Sequence, residues 1–202
     1  MSDSFSAIIL AGGRSFRMGK PKAALRFGSA TILDRIAAEL HRKFSEIIVV
    51  ASPDDRIEIA GVRTIHDAVA FEGPVAALER GLRTAANDTV FACSCDLPLL
   101  GAAVAMELCR RLDDAAAVIP EVDGKLQPLH AAYHRTQAAS GLSDMIARGE
   151  KRLTEIVAFM NARVIREAEL REIDPELRSF LNVNTPEDYQ RALELAGESP
   201  RK

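Results

Sequence analysis

Short apolar runs rich in β-branched residues recur along the chain. Longer stretches separate them, with apolar positions three and four apart. The runs cover residues 6–10, 46–51, 62–65, 89–93, 115–120 and 129–133. Runs of this length without polar alternation fit central parallel strands covered on both faces. The intervening segments read as helices. Thr31 is placed to cap a helix over 32–40, and Pro74, directly after Gly73, opens one over 75–86. Another follows Pro98 over roughly 101–112, and residues 136–148 form a further helix that Gly149 closes. Thr185-Pro186-Glu187-Asp188 joins a cap, a first-turn proline and two acids, starting a helix that runs to about Ala196. Strand and helix alternate, which predicts an α/β fold: one domain over 1–196 built on a doubly wound, mostly parallel sheet, with a frayed tail over 197–202. Such sheets bind ligands beyond the carboxyl ends of their strands, so the loops at 11–22, 66–73 and 95–99 are the places for chemistry.

Composition narrows the class. The chain has 202 residues, 48% hydrophobic and 27% charged, which suits a folded domain and not a disordered one. Lys and Arg number 26 against 29 Asp and Glu, a net charge of -3, without the basic excess expected of a duplex nucleic-acid binder. Three cysteines do not make a disulfide scaffold. The first ten residues lack a basic leader, and no apolar stretch reaches membrane-spanning length, so a cytoplasmic protein without membrane contact is expected. The average charge conceals a segregated one. Between Ser4 and Leu33 there is no acid, while Arg14, Arg17, Lys20, Lys22 and Arg26 all fall there.

That basic stretch follows the first strand and begins Leu10-Ala11-Gly12-Gly13. Paired glycines let the backbone approach a ligand, and consecutive N–H groups in such a turn form an anion-binding concavity. A phosphate site and a solvated basic loop are both open on this evidence. Asp67 and Asp96 follow the third and fourth strands at the same rim. Each could be a turn former, or a hard oxygen ligand for magnesium shared with substrate phosphates. For Asp96 the neighbours Cys93, Cys95, Leu97 and Leu99 are apolar, so its charge needs a partner. Cys93 and Cys95 read as small core residues; structural zinc needs four ligands, and Cys109 lies in a distant helix. Residues 124–130, after the fifth strand, look like a hairpin or loop, and their Gln127 and His130 could face a substrate or belong to a surface loop running into a strand. In Asn182-Val183-Asn184-Thr185-Pro186, capping explains one polar residue but not all three.

Taken together, these residues resemble the nucleotidyltransferases of Rossmann-like fold that act on molybdopterin, the molybdenum cofactor guanylyltransferase family. The matching motifs are Leu10-Ala11-Gly12-Gly13, Arg17-Met18-Gly19, Lys22, Asp67, Gly73-Pro74, Asp96 with Pro98, Gln127-Pro128 and residues 182–188, in order over nearly the whole chain. The resemblance implies transfer of GMP from GTP to molybdenum-bearing molybdopterin with release of pyrophosphate. It implies Leu10, Ala11, Gly12, Gly13, Lys22, Ser52, Asp67 and Asp96 around the nucleotide, and Lys22, Arg17 and Asp96 as catalytic, with Asp96 holding Mg2+. It places Gln127, His130, Asn182 and Asn184 on the pterin side, and implies transient contact with proteins that deliver molybdopterin and receive the product. Two departures stand out: Val50-Ala51-Ser52 occupies the place where the family often has Asn, and Pro74-Val75-Ala76-Ala77 lacks a second glycine. The weighed alternatives are a cytidylyltransferase or other small-molecule nucleotidyltransferase, a nucleotide-binding adaptor without chemistry, and a redox or zinc protein built on Cys93 and Cys95.

Overall fold

The computed structural model describes residues 4–12, 25–68 and 73–198. Gly13, Arg17 and Lys22, with the rest of 13–24, lie outside the described residues.

Strand β1 (Ser6–Leu10) is buried along its whole length at the centre of the sheet. A short hairpin, β2 (Arg26–Phe27) and β3 (Ala30–Thr31), precedes helix α1 (Ile32–His41). Then come β4 (Glu46–Ala51), β5 (Arg63–His66), α2 (Pro74–Thr84), β6 (Thr89–Ser94), α3 (Ala102–Arg110), β7 (Ala117–Val122), β8 (Lys125–Leu126), β9 (His130–His134), α4 (Arg135–Ala147), β10 (Ala162–Ile165), α5 (Glu167–Leu170) and α6 (Pro186–Ala196). The main sheet has the order β10-β7-β9-β6-β1-β4-β5, with β8 paired to β7. Strand β1 is parallel to both β4 and β6, β5 continues parallel to β4, and β10 is parallel to β7.

Alternate residues of a strand face opposite sides, so the sheet has two cores. Ile9, Val49 and Phe91 pack with Ile36 and Leu40 of α1, Leu108 of α3 and Leu193 of α6. On the other face Ile8, Val50 and Ala92 pack with Leu78 and Leu82 of α2 and Leu142 of α4. The fold is doubly wound, as the alternation of elements predicts. Among the described residues no helix is long and apolar enough to cross a membrane.

Helix starts match the sequence signals. The Thr31 hydroxyl accepts the Asp34 N–H while the Asp34 carboxylate accepts the Thr31 N–H, and Thr185 and Asp188 repeat the arrangement at α6. Gly73, at φ +102°, turns the chain into Pro74, the first residue of α2.

Three readings change. The apolar run of β9 reads as one more parallel strand, but β9 runs antiparallel to both β6 and β7. The reason lies in Asp123-Gly124, both with positive φ, which reverses the chain between β7 and β8 in a two-residue hairpin and returns it toward β9 without a crossover helix. Strand β10 has no counterpart in the sequence reading: it has four residues, and the exposed Arg163 and Val164 break any continuous apolar signal. The start of the expected frayed tail is held. Gly197 adopts the left-handed conformation that closes α6, the Glu198 N–H donates to Leu193 O at 2.9 Å, and the Glu198 carboxylate lies 3.6 Å from Arg35. Residues 199–202 lie outside the described residues.

Candidate active site

The loops at the carboxyl ends of β1, β4, β5 and β6 build two adjoining parts of one site. The first surrounds Gly12. Ala11 extends the pairing of β1 by donating its N–H to Val50 O at 2.8 Å, and Leu10 O accepts the Cys95 N–H at 3.1 Å. Gly12 is thereby delivered against two side chains: a Cβ there would stand 3.3 Å from Asp67 Oδ2 and 3.4 Å from Ser52 Oγ. The Asp67 N–H donates to Ala51 O at 2.9 Å, continuing the ladder of β4 and β5 and fixing the direction of its side chain. Asp67 is buried, and Arg80 of α2 donates to its Oδ1 at 2.7 Å. Of the expected nucleotide residues, Leu10, Ala11, Gly12, Ser52 and Asp67 therefore meet in one place.

The second part is a cavity of about 260 Å³. Asp96 and Ser94 stand on one side of it, and the Ser94 hydroxyl donates to Asp96 Oδ1. Gln127, His130 and Asn182 also line it, and Leu97, Leu129, Leu153 and Phe180 supply apolar wall. The Asn182 segment is tied to the aspartate loop, since the Val183 N–H donates to Asp96 O at 2.8 Å. Gln127 is fixed by its own backbone: its N–H donates to Pro120 O at 2.8 Å and its carbonyl accepts the His130 N–H at 3.0 Å. His130 is almost fully buried, and burial pulls its pKa down to about 3, so the ring is neutral at physiological pH. Pro74, at the start of α2, reaches the same cavity. Arg80 is six residues further along that helix, about 9 Å at the usual rise, so α2 spans from one part of the site to the other.

Asn184 is not brought to the cavity. It is exposed, and its N–H donates to Asp188 Oδ2 at 3.0 Å, which holds the Asp188 carboxyl below the usual carboxylate range. The two cysteines at the end of β6 are core residues: Cys93 is completely buried, with its thiol pushed well up by desolvation, and Cys95 is buried beside it. Among the described residues no group of three or more His, Cys, Asp or Glu is placed to hold a metal. Two residues of the site escape a reading of the sequence. Arg80 sits in an ordinary amphipathic helix, thirteen residues from its partner. Ser94 reads as the end of a strand, although its two-residue spacing from Asp96 is visible.

The sequence profile of the MobA-like NTP transferase domain matches residues 7–168. The chain belongs to that family. Members similar to this MobA-like protein include the probable molybdenum cofactor guanylyltransferases of Carboxydothermus hydrogenoformans, 31% identical over 95% of this chain and 96% of that one, and of Mycobacterium avium, 33% identical over 97% and 99%. Among solved structures, molybdopterin-guanine dinucleotide biosynthesis protein A from Archaeoglobus fulgidus superposes with a TM-score of 0.81 at 24% identity, over 95% of this chain and 98% of that one. The 2-C-methyl-D-erythritol 4-phosphate cytidylyltransferase of Thermus thermophilus shares the fold, with a TM-score of 0.70 at 15% identity over 98% and 100%. The chain is thus a nucleotidyltransferase, and its candidate site lies at the strand ends where such folds bind ligands.

Proposed function

We propose that this nucleotidyltransferase transfers GMP from GTP to the terminal phosphate of molybdenum-bearing molybdopterin, releasing pyrophosphate. The observation that carries the reading is the junction of the two parts of the site: a glycine loop beside Asp67 adjoins a small cavity in which Asp96 faces Gln127 and Asn182. Family membership and the names of relatives matching nearly the full chain support it.

The nucleophile is a phosphate oxygen, anionic at neutral pH, so the reaction needs no general base to create it. The task is to bring one anion to another and hold them in line. Gly12 leaves room for the nucleotide against Ser52 and Asp67, and Arg80 holds Asp67 in one orientation. Lys22 and Arg17 supply positive charge to the phosphates. Asp96 and Ser94 form an oxygen-only donor pair at the edge of the cavity, which fits a hydrated magnesium ion shared with the substrate phosphates. When bound, magnesium neutralises charge on the triphosphate and the departing pyrophosphate. Gln127, His130 and Asn182 form the acceptor side. The exposed Asn184 shapes the turn into α6. The acceptor arrives from, and the product leaves to, proteins met transiently.

The test is pyrophosphate release measured with GTP and with CTP, each with and without molybdopterin. Release with GTP that depends on molybdopterin and magnesium is expected, and Asp96→Ala should lower it by about 10²–10³-fold with an unchanged circular dichroism spectrum. A clear preference for CTP would sink the guanylyl assignment, and undiminished turnover in the Asp96 variant would remove the metal assignment.

A further inference from the structure

Among the described residues, one buried side-chain polar atom has no hydrogen-bond partner: Nδ1 of His130. Such an atom gives up its bonds to water on folding, and a ligand that supplies the missing partner recovers them. His130 is only 1% exposed, yet it belongs to the wall of the cavity shared with Asp96, Gln127 and Asn182. Its ring is held firmly. Phe180 lies against it with 4.2 Å between ring centroids, Phe91 meets it edge-on at 5.3 Å, and Nε2 stands 3.4 Å from Ser179 Oγ.

The contact with Ser179 identifies the missing partner's chemistry. Ser179 Oγ accepts the Gly101 N–H at 2.9 Å and faces His130 Nε2. Its second lone pair leaves room to accept again, but the hydroxyl proton would then meet no acceptor among the hydrogen bonds of the described residues, so giving it to Nε2 is the arrangement that satisfies both groups. A ring that accepts at Nε2 and is kept neutral by burial carries its single proton on Nδ1. The orphan atom is therefore a donor. None of the described residues lining the cavity is Lys or Arg, and leucine, proline and phenylalanine make most of its wall beside the amides of Gln127 and Asn182. Phosphate is better matched by cations than by such a surface. A space of about 260 Å³ is at the small end for ligand sites and suits one compact ring system.

We propose that Ser179 is a positioning residue that holds His130 in its Nδ1–H form, and that this N–H donates to a carbonyl oxygen or ring nitrogen of a flat, uncharged heterocycle seated in the cavity. The inference rests on the acceptor-side reading above, in which that heterocycle is the pterin.

Ring-nitrogen NMR of the whole protein tests the donor without any turnover. In the unliganded protein at pH 7, His130 should show a protonated Nδ1 and an unprotonated Nε2, and Ser179→Ala should abolish that single form. The opposite tautomer, or no change in the serine variant, overturns the positioning role. Added pterin should shift the Nδ1 resonance while inorganic phosphate should not; a shift with phosphate alone, or none with pterin, overturns the heterocycle. In kinetics, His130→Phe keeps a ring between Phe91 and Phe180 but removes the donor. It should raise KM for molybdopterin by about tenfold and leave KM for GTP unchanged. His130→Asn, whose amide nitrogen takes the place of Nδ1, should recover most of the loss. Equal rises in both KM values, or failure of the asparagine variant to recover more than phenylalanine, would point to a structural role only. Should the unaltered protein fail to turn over molybdopterin with any nucleotide, the acceptor reading falls, while the NMR titrations still decide the donor.

Discussion

Arg80 and Asp67 show how a residue-level contact can decide the character of a loop. The carboxylate is buried at the end of β5, beside the backbone at which Gly12 leaves room for a ligand, and the guanidinium that meets it comes from a helix. Removing the cation while leaving the buried anion is more damaging than losing both. Arg80→Met should therefore raise KM for GTP in pyrophosphate-release assays. It should also cost roughly 2–3 kcal/mol in urea unfolding, less than a fully buried pair because the arginine keeps contact with water. The placement of single residues is legible where position after a strand carries the information, as for Gly12, Asp67 and Asp96 at the strand ends. It is hidden where the information lies in a pairing between elements. Arg80 is one cation among 26, and nothing local marks it as the partner of a carboxylate at the sheet rim. His130 is recognisable as polar and near a loop, but its enclosure by Phe91 and Phe180 arises from residues 39 earlier and 50 later in the chain.

At the scale of elements, the helices are the most legible because their ends are chemical. Thr31, Pro74, Gly149 and Thr185 each mark a boundary through hydrogen bonding or backbone geometry that belongs to a few neighbouring residues. Strand identity is also legible, but strand direction is not: an apolar run reads the same whether its neighbours are parallel or antiparallel. The signal that settles β9 is the Asp123-Gly124 turn, which belongs to the segment before it. Packing between elements is equally silent in the sequence. Gly81 reads as an indifferent residue within a helix, yet a Cβ there would lie 2.9 Å from Ile8 Cδ1, 3.0 Å from Ile8 Cγ2 and 3.3 Å from Val50 Cγ2. These partners are wholly or almost wholly buried strand residues with little room to retreat. Gly81→Ala should destabilise the protein by about 1–3 kcal/mol, despite the better helix propensity of alanine, and chemical denaturation measures it.

The molecule as a whole places its stability and its site in the same layer. The hairpin β2–β3, which follows the basic stretch, is held from the far end of the chain: the Tyr189 hydroxyl of α6 donates to Arg26 O at 2.7 Å, and its ring meets Phe27 edge-on at 6.1 Å. His130 links the global stability to pH. The unfolded chain protonates this histidine near pH 6.5, whereas the folded protein does so only near pH 3. Between those values the unfolded state binds more protons. The histidine's contribution is therefore fully present above about pH 6.5 and is lost as the pH falls toward 3. Lowering the pH from 7 to 5 should cost the unaltered protein about 2 kcal/mol more than the His130→Phe variant in urea unfolding. Equal losses in the two proteins would show that the ring does not stay neutral in the fold.

The reversed direction of β9 has a consequence for how such a protein can diverge. The loops that carry Gly12, Ser52 and Asp67 leave the ends of parallel strands and pack against one another, so an insertion in one disturbs the others. The segment from Gly124 to Leu129 instead arrives at the rim from a hairpin and enters a strand by its beginning. Its anchors include the Asp123-Gly124 turn, the bond from the Gln127 N–H to Pro120 O and the antiparallel ladder to β6, and none of these passes through Gly12, Ser52 or Asp67. On the function proposed above, this separate anchoring lets the acceptor side change while the nucleotide side stays as it is.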